Sequence, residues 1–170
     1  MSRCYRINVV GEVQPECKRQ RFNKRRDGTR VPGARTDAPD RASWKAHVAL
    51  KAAEVCDKLL EGPLYVDIVV LKPRPPSYPN RPTKGCPWPW HWTKKPDTDN
   101  LEKPVKDALT GIAWLDDAQV IDAATHKRFG RRHEVWITVV QVTDLCMMPP
   151  REVQDAWEWI AAREAERDAS

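Results

Sequence analysis

A chain of 170 residues is about the size of one domain and can bury a core of its own. Its 29 lysines and arginines exceed its 24 aspartates and glutamates, a net charge of +5 that favours an anionic partner. No apolar run approaches the ~20 residues of a membrane span, which excludes a helical membrane protein. Five widely spaced cysteines, Cys4, Cys17, Cys56, Cys86 and Cys146, contain no Cys-x-x-Cys pair and point to a reduced compartment rather than a disulfide scaffold. The N-terminal MSRCYRINVV has no signal-peptide core, so the expectation is a cytoplasmic protein.

In chain order, residues 4–13 alternate as a strand with Tyr5, Ile7 and Val9 on one side. From Lys18 to Arg35 eight basic residues face one acid, and Asp27-Gly28 signals a short hairpin. This arm suits phosphate contact through Lys18, Arg19, Arg21, Lys24, Arg25, Arg26 and Arg30. Asp37 is the expected cap of a core helix carrying Trp44, Val48, Ala52, Val55 and Leu59, with Gly62-Pro63 as its stop. Residues 63–72 form a largely buried strand, apolar on both faces: Leu64, Val66, Ile68 and Val70 on one, Tyr65, Val69 and Leu71 on the other.

From Lys72 to Pro96 the chain has no acid, and seven prolines between Pro73 and Pro89 forbid regular helix. Arg81, Lys84, Lys94 and Lys95 in this loop suit DNA backbone. Trp88 and Trp90 fit either base stacking or core cover, and Trp92 fits packing. Cys86 and His91 fall short of the four ligands that a zinc site needs. Leu101, Val105, Ala108, Leu109 and Ile112 mark the apolar stripe of a second helix, in which a surface row pairs Asp107 with Lys103. Two further runs around Gly130-Arg131-Arg132 suggest a hairpin, its second strand carrying Val135, Ile137 and Val139 on one face. His126 and His133 fit strand-surface or turn positions better than general bases. Residues 149–170 form an amphipathic C-terminal helix with Val153, Ala156, Trp157 and Ile160 on its stripe, beyond a domain spanning 1–148.

The stretch around which the rest is organised is KKPDTDNLEKPVKDALTGIAWLDDAQV, residues 94–120. Asp97 and Asp99 precede and open the second helix, Lys103 follows one turn on, and Asp116 and Asp117 lie beyond its end. Hard cations such as Mg²⁺ take carboxylate, water and phosphate oxygens, so such acids suit metal-assisted phosphodiester chemistry. Pro104 follows Lys103 directly, which predicts a distorted first turn around that lysine.

The runs PDTDNLEKPVKDALTG and WLDDAQV resemble the signature of the RusA family of Holliday-junction resolvases, frequent in phages and prophages. The resemblance implies that Asp97, Asp99, Asp117 and Lys103 are catalytic, with Asp116 of less defined role. It implies that the three aspartates hold Mg²⁺, or Mn²⁺, against a phosphate. It further implies a homodimer that cuts four-way DNA junctions by paired symmetric cleavage in recombination and repair. The order of elements predicts a single α+β domain, with a small mixed sheet and helices on one face. Two rival functions are a non-catalytic branched-DNA-binding protein and a nuclease of broader branched-DNA specificity.

Overall fold

The computed structural model describes residues 3–15, 22–24, 30–32, 39–79, 81–84 and 91–142, with the backbone alone for 22–24, 30–32 and 39. The expected C-terminal helix and Lys18, Arg19, Arg21, Arg25 and Arg26 lie outside the described residues, as do Asp37, Cys86, Trp88 and Trp90. The elements are β1 (Cys4–Val10), β2 (Phe22–Lys24), β3 (Arg30–Pro32), α1 (Pro39–Ala53), β4 (Leu64–Pro73), α2 (Thr98–Leu109), β5 (Val120–Gly130) and β6 (Glu134–Gln141). Lys24 ends β2 and Arg30 begins β3; the two strands pair antiparallel, as the expected hairpin requires.

The main sheet runs β1-β6-β4-β5, with β4 parallel to β5 and antiparallel to β6, and β6 antiparallel to β1. This is the expected small mixed sheet, yet the hairpin expected around Gly130 does not form, because β4 lies between its two strands. The physical reason is in β4 itself. Leu64 through Leu71 are all buried, so this strand takes an interior place where both edges are bonded and both faces covered. Arg131, Arg132 and His133 carry the chain from β5 to β6 past the end of β4, a span of about 10 Å that three residues can cover.

Alternation sorts the side chains as expected. Ile7, Val9, Leu64, Val66, Ile68, Val70, Val135, Ile137 and Val139 face one core, filled from α1 by Trp44, Val48 and Ala52 and from α2 by Leu101, Val105, Ala108 and Leu109. Burying each such large apolar side chain contributes roughly 1.5–3 kcal/mol. Neither helix contributes to the two smaller clusters of the opposite face, Tyr65 with Val140 and Val69 with Leu71. Both helices therefore lie on one face.

Two expectations about the helices need correcting. The first helix stops at Ala53 instead of Gly62, which leaves Val55 and Leu59 exposed at 43% and 39%. Tertiary contacts take the chain away there: the Tyr5 hydroxyl binds the Asp57 carboxylate, and Leu60 N donates to Ala113 O at 2.8 Å. In the second helix Pro104 does not break the first turn. The helix is continuous from Thr98 to Leu109, Lys103 is exposed on it, and the Pro104 ring is buried with the apolar stripe. Asp107 is held by Lys45 of α1 at 2.9 Å, an ion pair between the two helices.

Candidate active site

Asp97 occupies the N-cap position of α2 in extended conformation, φ −75° and ψ 159°, and its carboxylate makes no capping hydrogen bond. An aspartate at a cap ordinarily bonds a backbone N–H of the first turn. Here the carboxylate is held back from that use, beside Asp99 in the first turn and at the positive end of the helix dipole. Asp97, Asp99 and Lys103 are all exposed, as are Lys94 and Lys95 just upstream and Arg81 and Lys84 earlier in the loop. The acidic pair thus stands on an accessible surface, with Lys94, Lys95 and Lys103 close to it along the chain. Trp92, by contrast, is 7% exposed and packs in the core, as expected.

Asp117 stands at the other end of α2. Thr110 caps the C-terminus of the helix, and its hydroxyl donates to Asp117 Oδ1 at 2.5 Å. Trp114, wholly buried, donates its indole N–H to the same oxygen at 2.9 Å. The sharp return of the chain depends on Gly111, whose φ of 82° is left-handed and suits glycine after a helix end. The twelve residues of α2 rise about 18 Å, so Asp117 cannot share one ion with Asp97 and Asp99 of the same chain. Accordingly, among the described residues no three of His, Cys, Asp or Glu gather closely enough to hold a metal. Asp97 with Asp99 matches the one or two carboxylates that Mg²⁺ commonly takes when water and phosphate complete its shell.

Asp116 and Gln119 prove architectural. Asp116 Oδ1 accepts from Ala118 N at 2.8 Å, and Gln119 Oε1 accepts from Asp116 N at 3.1 Å, a reciprocal cap on the short 3₁₀ turn Asp117–Gln119. Gln119 Nε2 also donates to Leu60 O at 3.0 Å and Gly62 O at 3.2 Å. The acid–acid–x–glutamine pattern therefore anchors the segment that presents Asp117.

The loop leading to Asp97 lies against β5. Arg128 binds the Nε2 of His91, and Lys127 reaches the loop backbone. Because a guanidinium only donates, His91 must accept through Nε2 and is neutral. Burial, and then the Arg128 charge, hold its pKa below the ordinary 6.5. A depressed histidine contributes stability that is whole above 6.5 and is lost as pH falls below it, since the unfolded chain protonates first. Thermal melts from pH 7.5 to 5.5 are therefore expected to fall less steeply in His91→Asn than in the unsubstituted protein. Equal slopes would remove His91 as the cause. His126 is half-buried with Nε2 3.1 Å from Asp67 Oδ1, and His133 lies in the β5–β6 turn.

The Endodeoxyribonuclease RusA family model matches residues 12–140, which begin just after β1 and include both helices and the acidic motif. The chain belongs to the RusA endodeoxyribonuclease family. A relative from Bacillus subtilis (strain 168), the uncharacterized protein YqaN, is 34% identical over 107 residues, covering 59% of this chain and 73% of that protein. Membership in a family of DNA-cleaving enzymes agrees with exposed acids set among lysines. No helix among the described residues is long and apolar enough to cross a membrane.

Proposed function

We propose that this RusA-family chain is a structure-selective endodeoxyribonuclease that resolves four-way DNA junctions by paired symmetric cleavage, working as a homodimer with Mg²⁺ or Mn²⁺. The observation that carries the reading is the Asp97–Asp99 pair, set at a helix N-terminus with the Asp97 carboxylate left unused by the helix and with lysines around it. Asp97 and Asp99 are the residues that would hold the cation. When bound, that cation supplies charge neutralisation and an activated water. Lys103 stabilises the negative charge that develops on the phosphate oxygens. Arg81, Lys84, Lys94 and Lys95 grip backbone phosphates, together with the arm from Lys18 to Arg30, adding affinity and salt dependence without sequence preference.

The length of α2 gives the dimer a further part to play. Asp117 lies too far from Asp97 to serve it in one chain, so its carboxylate completes the site of a second copy across a two-fold axis. A symmetric junction presents two equivalent strands to the two sites so formed.

The test is nicking of a labelled mobile four-way junction and of a matched linear duplex, in Mg²⁺, in Mn²⁺ and in EDTA. Paired symmetric cuts confined to the junction and dependent on metal are expected. Tight junction binding without cleavage in either metal would instead assign the chain to non-catalytic binding. Comparable cutting of flaps and three-way branches would broaden its substrate class.

A further inference from the structure

β5 turns Ala123, Thr125, Lys127 and Phe129 toward the face that carries the helices, a pattern fixed by their register opposite Val66, Ile68, Val70 and Lys72. Thr125 docks there on α2, donating to Glu102 Oε2 at 3.0 Å. Lys127, one step further along this face, lies beneath the start of α2, where the helix dipole disfavours a cation. Something must compensate. Its ammonium donates to Lys94 O and to Pro96 O, both at 2.8 Å, and stands over the Trp92 ring at 5.0 Å. Lys72 lies over the same ring at 5.4 Å, and the Trp92 indole N–H donates to Lys95 O at 3.3 Å. Three consecutive carbonyls, those of residues 94, 95 and 96, are thus held from below by Lys127 and Trp92. The next residue is Asp97, which has no cap bond of its own to fix it.

We propose that Lys127 is a positioning residue for Asp97: it clamps the backbone on the approach to α2 and fixes where the first carboxylate of the site stands. The proposal rests on the nuclease reading for its functional consequence. Two of the three ammonium protons are committed to carbonyls, and Asp97 is near enough for its charge to act on the ammonium, which burial otherwise disfavours. A lysine so engaged is not a surface contact waiting for phosphate. It is part of the floor of the site.

The test compares the full-length protein with Lys127→Met, Lys127→Gln and Lys127→Arg. Amide exchange without metal is the first readout, because it reports the loop whether or not the protein cuts DNA. Lys127→Met is expected to speed exchange at residues 94–99 about tenfold while the β4 and β6 amides stay protected. Lys127→Gln, which can still donate to one carbonyl, falls between and serves if the methionine disturbs the fold. In single-turnover junction cleavage, Lys127→Met is expected to lose about 30-fold in rate and to need more Mg²⁺ for half-saturation, with binding in EDTA changed less than about threefold. Lys127→Arg recovers part of both. Parallel losses of EDTA binding and cleavage with unchanged exchange would make Lys127 an ordinary phosphate contact and overturn the proposal, as would wild-type behaviour in all three variants. If the unsubstituted protein cuts no branched DNA, the nuclease reading fails while the exchange data still decide the clamp.

Discussion

Asp97→Asn and Asp117→Asn, each expected to lose junction cleavage about 10²- to 10³-fold on its own, are expected to regain it when mixed. The asparagine at 117 keeps the Oδ1 acceptor used by Thr110 and Trp114, so the turn that holds it should survive and only the charge disappears. If each site joins Asp97 of one copy to Asp117 of the other, a mixed dimer carries one site with both lesions and one with neither. Random exchange of subunits then restores roughly a quarter of the wild-type sites, and each mixed dimer nicks a junction on one strand without resolving it. Were both carboxylates to act within one chain, every site in the mixed dimer would carry one lesion and no cutting would return. Full activity of Asp117→Asn alone would show instead that this aspartate only anchors the end of α2. Nicking assays on the mixture, with the mixed dimer verified by mass, separate the three outcomes.

Much of the fold is legible in the sequence. The apolar faces of β1, β4 and β6 follow from alternation, and helices on one face follow from the order of elements. The same alternation contained the correction to the expected hairpin. A strand apolar on both faces save for Asp67, as β4 is from Leu64 to Leu71, belongs inside a sheet, so it parts the two strands that follow it. The early end of α1 could not be read, because Val55 and Leu59 continue the helical period and only the contacts of Tyr5 with Asp57 and of Leu60 with Ala113 draw the chain away. At the site, Asp97, Asp99 and Lys103 announce themselves, whereas the separation of Asp117 from them could not be read, because the residues after Leu109 are enough to carry the chain back and only the Thr110–Asp117 hydrogen bond holds it at the far end of α2. Lys127 was missed because it sits among charges in a strand of mixed polarity. The available signal was its phase, since it shares the inward register of Ala123, Thr125 and Phe129.

Trp114 joins the core to Asp117, and two substitutions should separate its roles. Trp114→Ala removes a wholly buried indole from the core, and the cavity is expected to cost about 3–5 kcal/mol, a large share of a small domain's stability. Trp114→Phe keeps most of the ring but removes the N–H that donates to Asp117 Oδ1 at 2.9 Å. That loss amounts to about 1–2 kcal/mol of stability, a few degrees in melting temperature, because the carboxylate is partly exposed and water can replace the donor. Activity should respond differently. With two donors on Oδ1, from Thr110 and Trp114, the carboxylate is pinned in one orientation. With one donor gone it can rotate, and cleavage is expected to fall about tenfold while junction binding in EDTA holds. Thr110→Val, which removes the other donor, should lower cleavage in the same way. Adding it to Trp114→Phe should cost more than either change alone, since only the double variant leaves Asp117 with neither donor. Melting curves read beside single-turnover rates decide the matter: rates that merely track stability would reduce Trp114 to packing, whereas a rate loss in a folded Trp114→Phe protein makes the core side chain a support of the active carboxylate.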